Sequence, residues 1–157
     1  MDTTMIVSVD DVRLAVPADF RPMNSDEISG YYGSFKLNEA FIQDADRAYL
    51  AIQFGEQALG QDGVTQRIDE CERVYRRMSP GFVMGEKRLY TGGDAETAAL
   101  SFKSNALDRD LLNMLAISSM AGKELFLLLT CNIEDAQRYI PIFTAMVESL
   151  RLESTNC

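Results

Sequence analysis

The most distinctive pattern of apolar positions lies in the C-terminal third of the chain. Residues 125–129 are all apolar, a run too short for a helix and apolar at odd and even positions alike. Such a strand is typically covered on both faces, so the pattern predicts a central strand over 125–131 with helices on each side of its sheet. After Asn132 the apolar spacing changes to three and four, which predicts a helix. Its expected stripe consists of Ile133, Ala136, Ile140, Phe143, Val147 and Leu150.

Two polar or helix-breaking residues mark this last helix. Asn132 precedes the stripe and is expected to cap the helix with its side chain. Pro141 lies inside the stripe and has no amide hydrogen to donate to the carbonyl of Gln137. We therefore expect either a kink at Pro141 or a first turn that is offset from the rest of the helix.

The residues upstream of the central strand predict an antiparallel meander. Strands are expected over 83–91, 97–104 and 110–120, with Gly92-Gly93 in the first turn and Gly122 in the last. Ala98, Leu100 and Phe102 should share one face of the second strand. The third strand, like the central one, is apolar on both faces.

A longer helix precedes the meander. Val64, Ile68, Cys71, Tyr75 and Met78 recur at spacings of four and three, which predicts an amphipathic helix with these residues toward the sheet. Asp62 is its expected cap. Two acid-before-base pairs four residues apart, Asp69 with Arg73 and Glu72 with Arg76, are expected to support its exposed face.

The N-terminal half completes the predicted sheet. Residues 5–16 form a strand or short hairpin in this interpretation, 35–42 a short edge strand, 47–54 a strand, and 57–63 a loop. Between residues 16 and 35, Asn24 and Glu27 have the spacing of a capping box, and Gly33 is typical of a helix end. The resulting short helix should turn Ile28 and one of Tyr31 and Tyr32 toward the sheet. All these elements predict one α+β domain over residues 1–157, an antiparallel β-sheet meander sandwiched between helices.

Composition and charge narrow the classes of function. The 157 residues include 15 Lys and Arg against 24 Asp and Glu, a net charge of −9. An acidic chain is repelled by phosphate backbones and anionic lipid, so nucleic-acid and membrane partners are not expected. Three cysteines without a CxxC pair favour a reducing compartment. We find no signal peptide and no transmembrane span, and expect a cytoplasmic protein.

Several short segments, mostly turn and core residues, resemble those of a known superfamily: 16–20, 23–27, 104–108, 112–115, 127–132 and 139–143. This is the PsbP-like superfamily, which includes the Ran-binding Mog proteins, the photosystem subunit PsbP and many uncharacterised small bacterial proteins. The resemblance covers nearly the whole chain and implies an α/β/α sandwich around an antiparallel sheet.

The resemblance implies a binding role rather than an activity. Named members of the superfamily bind other proteins, and no catalytic residue transfers to this sequence. Histidine-based metal binding reported for photosystem members cannot apply, because this chain contains no histidine. Function inferred from fold alone rests on analogy.

The residues themselves offer few candidates for catalysis. Without histidine, Ser-His-Asp and Cys-His nucleophile systems are excluded, together with the commonest zinc ligand. Cys131, just ahead of the last helix, is more simply a core residue than an activated thiol. Paired acids flank predicted turns, where Asp and its bonds to the backbone are expected for structural reasons. These pairs are Asp44 with Asp46, Asp94 with Glu96, and Asp108 with Asp110. We expect no catalytic residue, no metal site and no cofactor.

Two surface features are candidates for binding a partner protein. Arg67, Arg73, Arg76 and Arg77 lie on the middle helix, where nearby acids favour an ordinary solvated face over a docking patch. Tyr31 and Tyr32 are adjacent on a helix and cannot both face the core, and exposed tyrosines are favoured at interfaces. We therefore predict a non-catalytic protein-binding or accessory module, with Tyr31 and Tyr32 as partner-binding residues. The alternative is a small-ligand pocket protein or a hydrolase that uses carboxylates such as Asp108 and Asp110.

Overall fold

The computed structural model describes residues 3–33, 37–55, 59, 63–91, 94–120 and 123–152. The helices are α1 (Ser25–Tyr32), α2 (Gly63–Met78) and α3 (Ala136–Glu148), and one turn of 3-10 helix, Ile133–Asp135, directly precedes α3. The strands are β1 (Thr4–Val9), β2 (Val12–Pro17), β3 (Arg21–Pro22), β4 (Glu39–Gln43), β5 (Ala48–Phe54), β6 (Val83–Tyr90), β7 (Thr97–Asn105), β8 (Asp110–Met120), β9 (Lys123–Asn132) and β10 (Arg151–Leu152).

A seven-stranded antiparallel sheet forms the centre of the molecule. Its strand order is β3-β4-β5-β9-β8-β7-β6, so the predicted meander is β6 to β9. The strand over 125–131 lies within β9, the fourth of the seven strands, which confirms the central position that its two apolar faces predict. Antiparallel strands and three helices confirm the α+β class.

The N-terminal hairpin corrects the expectation that every upstream strand extends this sheet. β1 and β2 pair with each other and with β10 in a separate three-stranded sheet. Val12, Leu14 and Val16 of β2 are buried in the same cluster as Tyr139 and Phe143 of α3. The alternation of apolar and polar residues in β1 and β2 predicts two strands. It does not predict that they form a separate sheet, because their third strand, β10, is distant in sequence.

The two faces of the large sheet are covered by different elements. On one face, Val64, Ile68 and Cys71 of α2 pack with Ala98, Leu100, Phe102, Leu115 and Ile117. On the other, α3 and the hairpin pack with alternate residues of the central strands, which include Leu50, Leu112, Met114, Leu127 and Leu129. The shared face predicted for Ala98, Leu100 and Phe102 and the two apolar faces predicted for β8 are therefore confirmed.

The structure confirms the cap predicted for α1 and shows that the cap predicted at Asn132 is wrong. The amide of Glu27 donates to Asn24 Oδ1 at 2.9 Å and the amide of Asn24 donates to Glu27 Oε1 at 3.0 Å, which completes the predicted capping box of α1. Gly33 ends α1 with φ 64°. Asn132 makes no side-chain cap, because its Oδ1 accepts from Arg109 Nη1 and its Nδ2 donates to the carbonyl of Asp46. Asp62 lies outside the described residues.

The buried residues of α3 and α2 differ in part from the apolar stripes predicted for these helices. Ile133 and Ile140 are exposed by 36% and 47%, whereas Tyr139 and Met146 are fully buried, so the buried face of α3 is rotated from the predicted stripe. Met78 is exposed because it is the last residue of α2. Glu72 and Arg76 form the predicted pair at 2.7 Å, but Asp69 pairs with Lys87 of β6 instead of Arg73.

A row of polar side chains crosses three strands on the face of the large sheet that α2 packs against. Asn113 Nδ2 donates to Ser104 Oγ at 2.9 Å, and Thr130 Oγ1 donates to Asn113 Oδ1 at 3.2 Å. All three residues are buried. Each side chain in this row has a partner within the row, as buried polar groups require.

Candidate functional site

A cluster of three tyrosines joins α1 to the large sheet. The ring of Tyr31 lies 4.6 Å from that of Tyr49 on β5, and the ring of Tyr32 lies 6.1 Å from it, edge to face. Tyr31 is 43% exposed, whereas Tyr32 is half-buried among Met23, Ala40 and Ile42. Both rings therefore lie near Tyr49 of the sheet, and Tyr31 is the one that leaves much of its side chain exposed to solvent. We call Tyr31, Tyr32 and Tyr49 the tyrosine cluster.

The hydroxyl groups of this cluster have an unusual environment. Tyr32 Oη is buried and has no hydrogen-bond partner among the described residues. Burial raises the pKa of Tyr32 well above its usual value, with the neighbouring tyrosines adding to the effect. Burial also raises the pKa of Tyr49, while the guanidinium of Arg109, 5.9 Å from its ring, opposes the shift. The cluster therefore presents neutral aromatic surface beside a cation.

Polar contacts hold α1 at this position. Arg21, on β3, donates to Glu27 at 2.7 and 2.9 Å and to Asp44 at 2.7 and 3.0 Å. Hydrogen bonds from Arg21 lower the pKa of Glu27 to about 2, helped by the amide of Asn24, and also lower the pKa of Asp44. α1 contains no fully buried residue. Its orientation therefore depends on this ion network and the capping box as well as on Ile28 and Tyr32.

Three of the candidate acids contact a cation or a backbone amide. Asp108 pairs with Arg47 at 3.1 Å and Asp110 with Lys103 at 3.7 Å, so each carboxylate faces a different cation. Asp94 accepts from the amide of Leu152. These contacts give Asp94, Asp108 and Asp110 structural roles. Within the described ranges, no group of three or more Cys, Asp or Glu could hold a metal ion.

The cysteines considered from the sequence are core residues. Cys131 is 0% exposed and Cys71 is 6% exposed, and both are free thiols. Burial raises the pKa of Cys131 to about 12, and Asp135 and Asp46 add to the shift more than Arg109 opposes it. Cys131 is therefore protonated near neutral pH and is not an activated nucleophile. Cys157 lies outside the described residues.

Two of the four arginines of α2, Arg67 and Arg76, form ion pairs with nearby acids. Arg67 pairs with Glu70 and with Glu124 of β9, and Arg76 pairs with Glu72 and lies over the ring of Phe82. These contacts favour the mixed, solvated face over a basic docking patch. No described helix is both long and apolar enough to cross a bilayer.

A second polar network was missed from the sequence. Tyr139 of α3 donates to Asp46 Oδ2 at 2.7 Å, and Arg138 donates to the same oxygen at 2.7 Å. Asp46 lies in the β4–β5 turn, whose sharp path includes Arg47 at φ 56°. The sequence predicts Asp46 as a turn residue, but no sequence spacing links it to a tyrosine 93 residues away. The network joins the turn to α3.

Comparison with known proteins adds information through structure alone. No protein-family model and no curated protein matches the sequence. The chain superimposes on cyanobacterial PsbP (CyanoP) from Synechocystis sp. PCC 6803 with TM-score 0.70 and 10% identity, over 97% of this chain and 94% of that one.

Two other solved structures are also similar to this chain. LpqN, involved in cell envelope biogenesis of Mycobacterium tuberculosis, matches with TM-score 0.62 and 13% identity over 97% of this chain and 91% of that one. A mutant of the protein Mog1 matches with TM-score 0.58 and 8% identity over 99% and 97% of the two chains. The resemblance carried by the turn and core segments is confirmed at the level of architecture: the chain has the PsbP-like fold.

Proposed function

We propose that this protein is a non-catalytic module that binds another protein, and that Tyr31 and Tyr32 contribute to the contact surface. The observation that carries the proposal is the ring of Tyr31, which is 43% exposed and whose centroid lies 4.6 Å from that of Tyr49 in a tilted arrangement. Tyrosine supplies a large contact area at a small cost in conformational entropy, which explains its enrichment at interfaces. In this arrangement the ring of Tyr32, 6.5 Å from that of Tyr31, packs against the sheet and anchors α1 beside the exposed ring.

The fold supports a binding role for this surface. Packing of α2 and α3 on opposite faces of the large sheet favours the α/β/α sandwich that the sequence predicts. The superfamily resemblance implies proteins that act by binding other proteins. The acid pairs and buried thiols described above supply no arrangement that favours an enzyme. Free Cys71 and Cys131 are compatible with the proposed cytoplasmic location.

Affinity capture from a lysate of the source organism tests the proposal. The wild-type protein should retain a stoichiometric partner that Tyr31→Ala loses. Ile6→Ala provides a matched control, because Ile6 is also exposed, by 66%, but lies on β1 in the small sheet. Equal capture by the wild type and both variants would place the contact elsewhere. Absence of any partner would contradict the binding module itself.

A further inference from the structure

An apolar groove separates α3 from the outer strands of the large sheet. Its volume is about 360 Å³. One wall is the α3 side that carries Ala136, Ile140 and Phe143, at spacings of four and three. The floor comes from β7 and β8, including Ala99 and Met114. We call this the α3 groove.

Side-chain size explains why the groove exists. On the face under α2, β7 presents Ala98, Leu100 and Phe102, and the bulky residues fill the space below the helix. On the opposite face it presents the smaller Ala99 and Ser101, and Gly85 of β6 lies directly against Ser101. α3 and the hairpin pack over the central strands, and no helix in the described part of the chain covers this outer part of the sheet.

The two faces of β6 differ in their charge contacts. Lys87 faces α2 and binds Asp69 at 2.7 Å and Glu72 at 2.5 Å, two acids of the helix that covers that face. Arg88 is the next residue and points to the opposite face, because side chains alternate along a strand. It lines the α3 groove, with its guanidinium 5.0 Å from the ring of Tyr90. Among the described residues it forms no ion pair with a carboxylate.

We propose that the α3 groove binds an amphipathic helix of a partner protein that carries an acidic residue for Arg88. The opposite face of the large sheet has the same arrangement within the molecule. There the apolar stripe of α2 packs on β7 and β8, and an acid of α2, Asp69, binds Lys87 of β6. A helix lying beside α3 would pack against the exposed Ile133 and Ile140, as neighbouring helices do. Its acids would meet Arg88 at the rim, and Glu86 is the other charged residue that lines the groove.

The test is selection from a displayed library of helical peptides, about five turns long, with an apolar stripe and randomised flanking positions. The immobilised proteins are the wild type, Arg88→Glu, Ile140→Ser, Glu86→Gln and Tyr31→Ala. Ile140 is 47% exposed, so its replacement leaves the core intact. Peptides enriched on the wild type should carry Asp or Glu at one flank. Their affinity should fall about tenfold on Arg88→Glu, as expected for loss of a close charge pair.

The other variants distinguish binding in the α3 groove from binding elsewhere on the surface. Ile140→Ser should weaken the selected peptides, Glu86→Gln should leave them equal or tighter, and Tyr31→Ala should have no effect. Selection on Arg88→Glu should instead enrich Lys or Arg at the same flank. The proposal is overturned if no helical peptide is enriched, or if binding is indifferent to both Arg88 and Ile140. It is also overturned if sedimentation shows that a second copy covers the groove, or if the groove binds dodecanoate and no peptide.

Discussion

The helices α1 and α2 lie over the same face of the large sheet but are held there in different ways. α2 buries Val64, Ile68 and Cys71 against β7 and β8. α1 buries no residue completely and depends on its capping box, on Arg21 and on the half-buried Ile28 and Tyr32. Elements with few buried apolar contacts open at lower free energy than the core. The comparison therefore predicts that α1 is the less stable helix, at the surface proposed to meet a partner.

Removing a core side chain from each helix should give the largest contrast. Ile68→Ala should lower the free energy of unfolding by about 2–5 kcal/mol, because it leaves a cavity beneath α2. Ile28→Ala should cost about 1 kcal/mol, since the side chain is only partly removed from water. Urea denaturation of both variants measures the difference. Equal losses would show that α1 is as deeply anchored as α2.

Removing the cap should weaken α1 locally. Asn24→Ala should cost about 1 kcal/mol, because the amide of Glu27 loses its acceptor. Hydrogen exchange should accelerate over α1 and remain unchanged over α2. Ser25→Ala is the control, because Ser25 is exposed and its side chain takes no part in the capping box. Faster exchange in both helices would contradict separate anchoring.

Removing the unpaired hydroxyl should have a smaller and opposite effect. Tyr32→Phe keeps the ring and deletes a buried donor that lacks a partner among the described residues, so it should stabilise the protein by about 0.5–1 kcal/mol. Tyr31→Phe, with an exposed side chain, serves as the comparison and should change little. Thermal unfolding distinguishes the two. A loss of stability in Tyr32→Phe would reveal a hydrogen bond made by this hydroxyl in solution.

The ion network of α1 should respond to acid. The pKa of Glu27 is lowered from 4.5 to about 2, so its contribution to stability is present above pH 4.5 and is lost as the pH falls toward 2. NMR titration should give the Glu27 carboxyl a midpoint near 2. In Arg21→Ala the midpoint should move toward 4.5. A midpoint near 4.5 in the wild type would show that the Arg21 contact does not persist in solution.

Local patterns were sufficient to predict much of this architecture. The apolar spacing of α2, the capping box of α1 and the two apolar faces of β8 and β9 each depend on residues close in sequence. The tyrosine pair follows from helix geometry in the same way, because adjacent residues point in different directions. Whether a partner binds there stays a prediction.

The errors came from contacts between distant residues. The hairpin joined a separate sheet because β2 pairs with β10 near the other end of the chain. Asn132 failed as a cap because Arg109 and Asp46 occupy its side chain. Ile140 became a groove residue because α3 packs against both sheets and turns Tyr139 and Met146 inward. These outcomes depend on which distant residues pack together, and no spacing along the sequence predicts them.

The polar row of Asn113, Ser104 and Thr130 has a consequence for how the meander assembles. β8 and β9 are apolar on both faces, so sliding one strand by two residues keeps apolar groups buried on each side. The hydrophobic pattern alone therefore distinguishes poorly between alternative registers. A slip of β8 would separate the Asn113 amide from both Ser104 and Thr130, and a slip of β9 would separate it from Thr130; a buried amide that loses its partners is costly. Three small polar side chains thus select one strand alignment from several that would satisfy the hydrophobic core equally well.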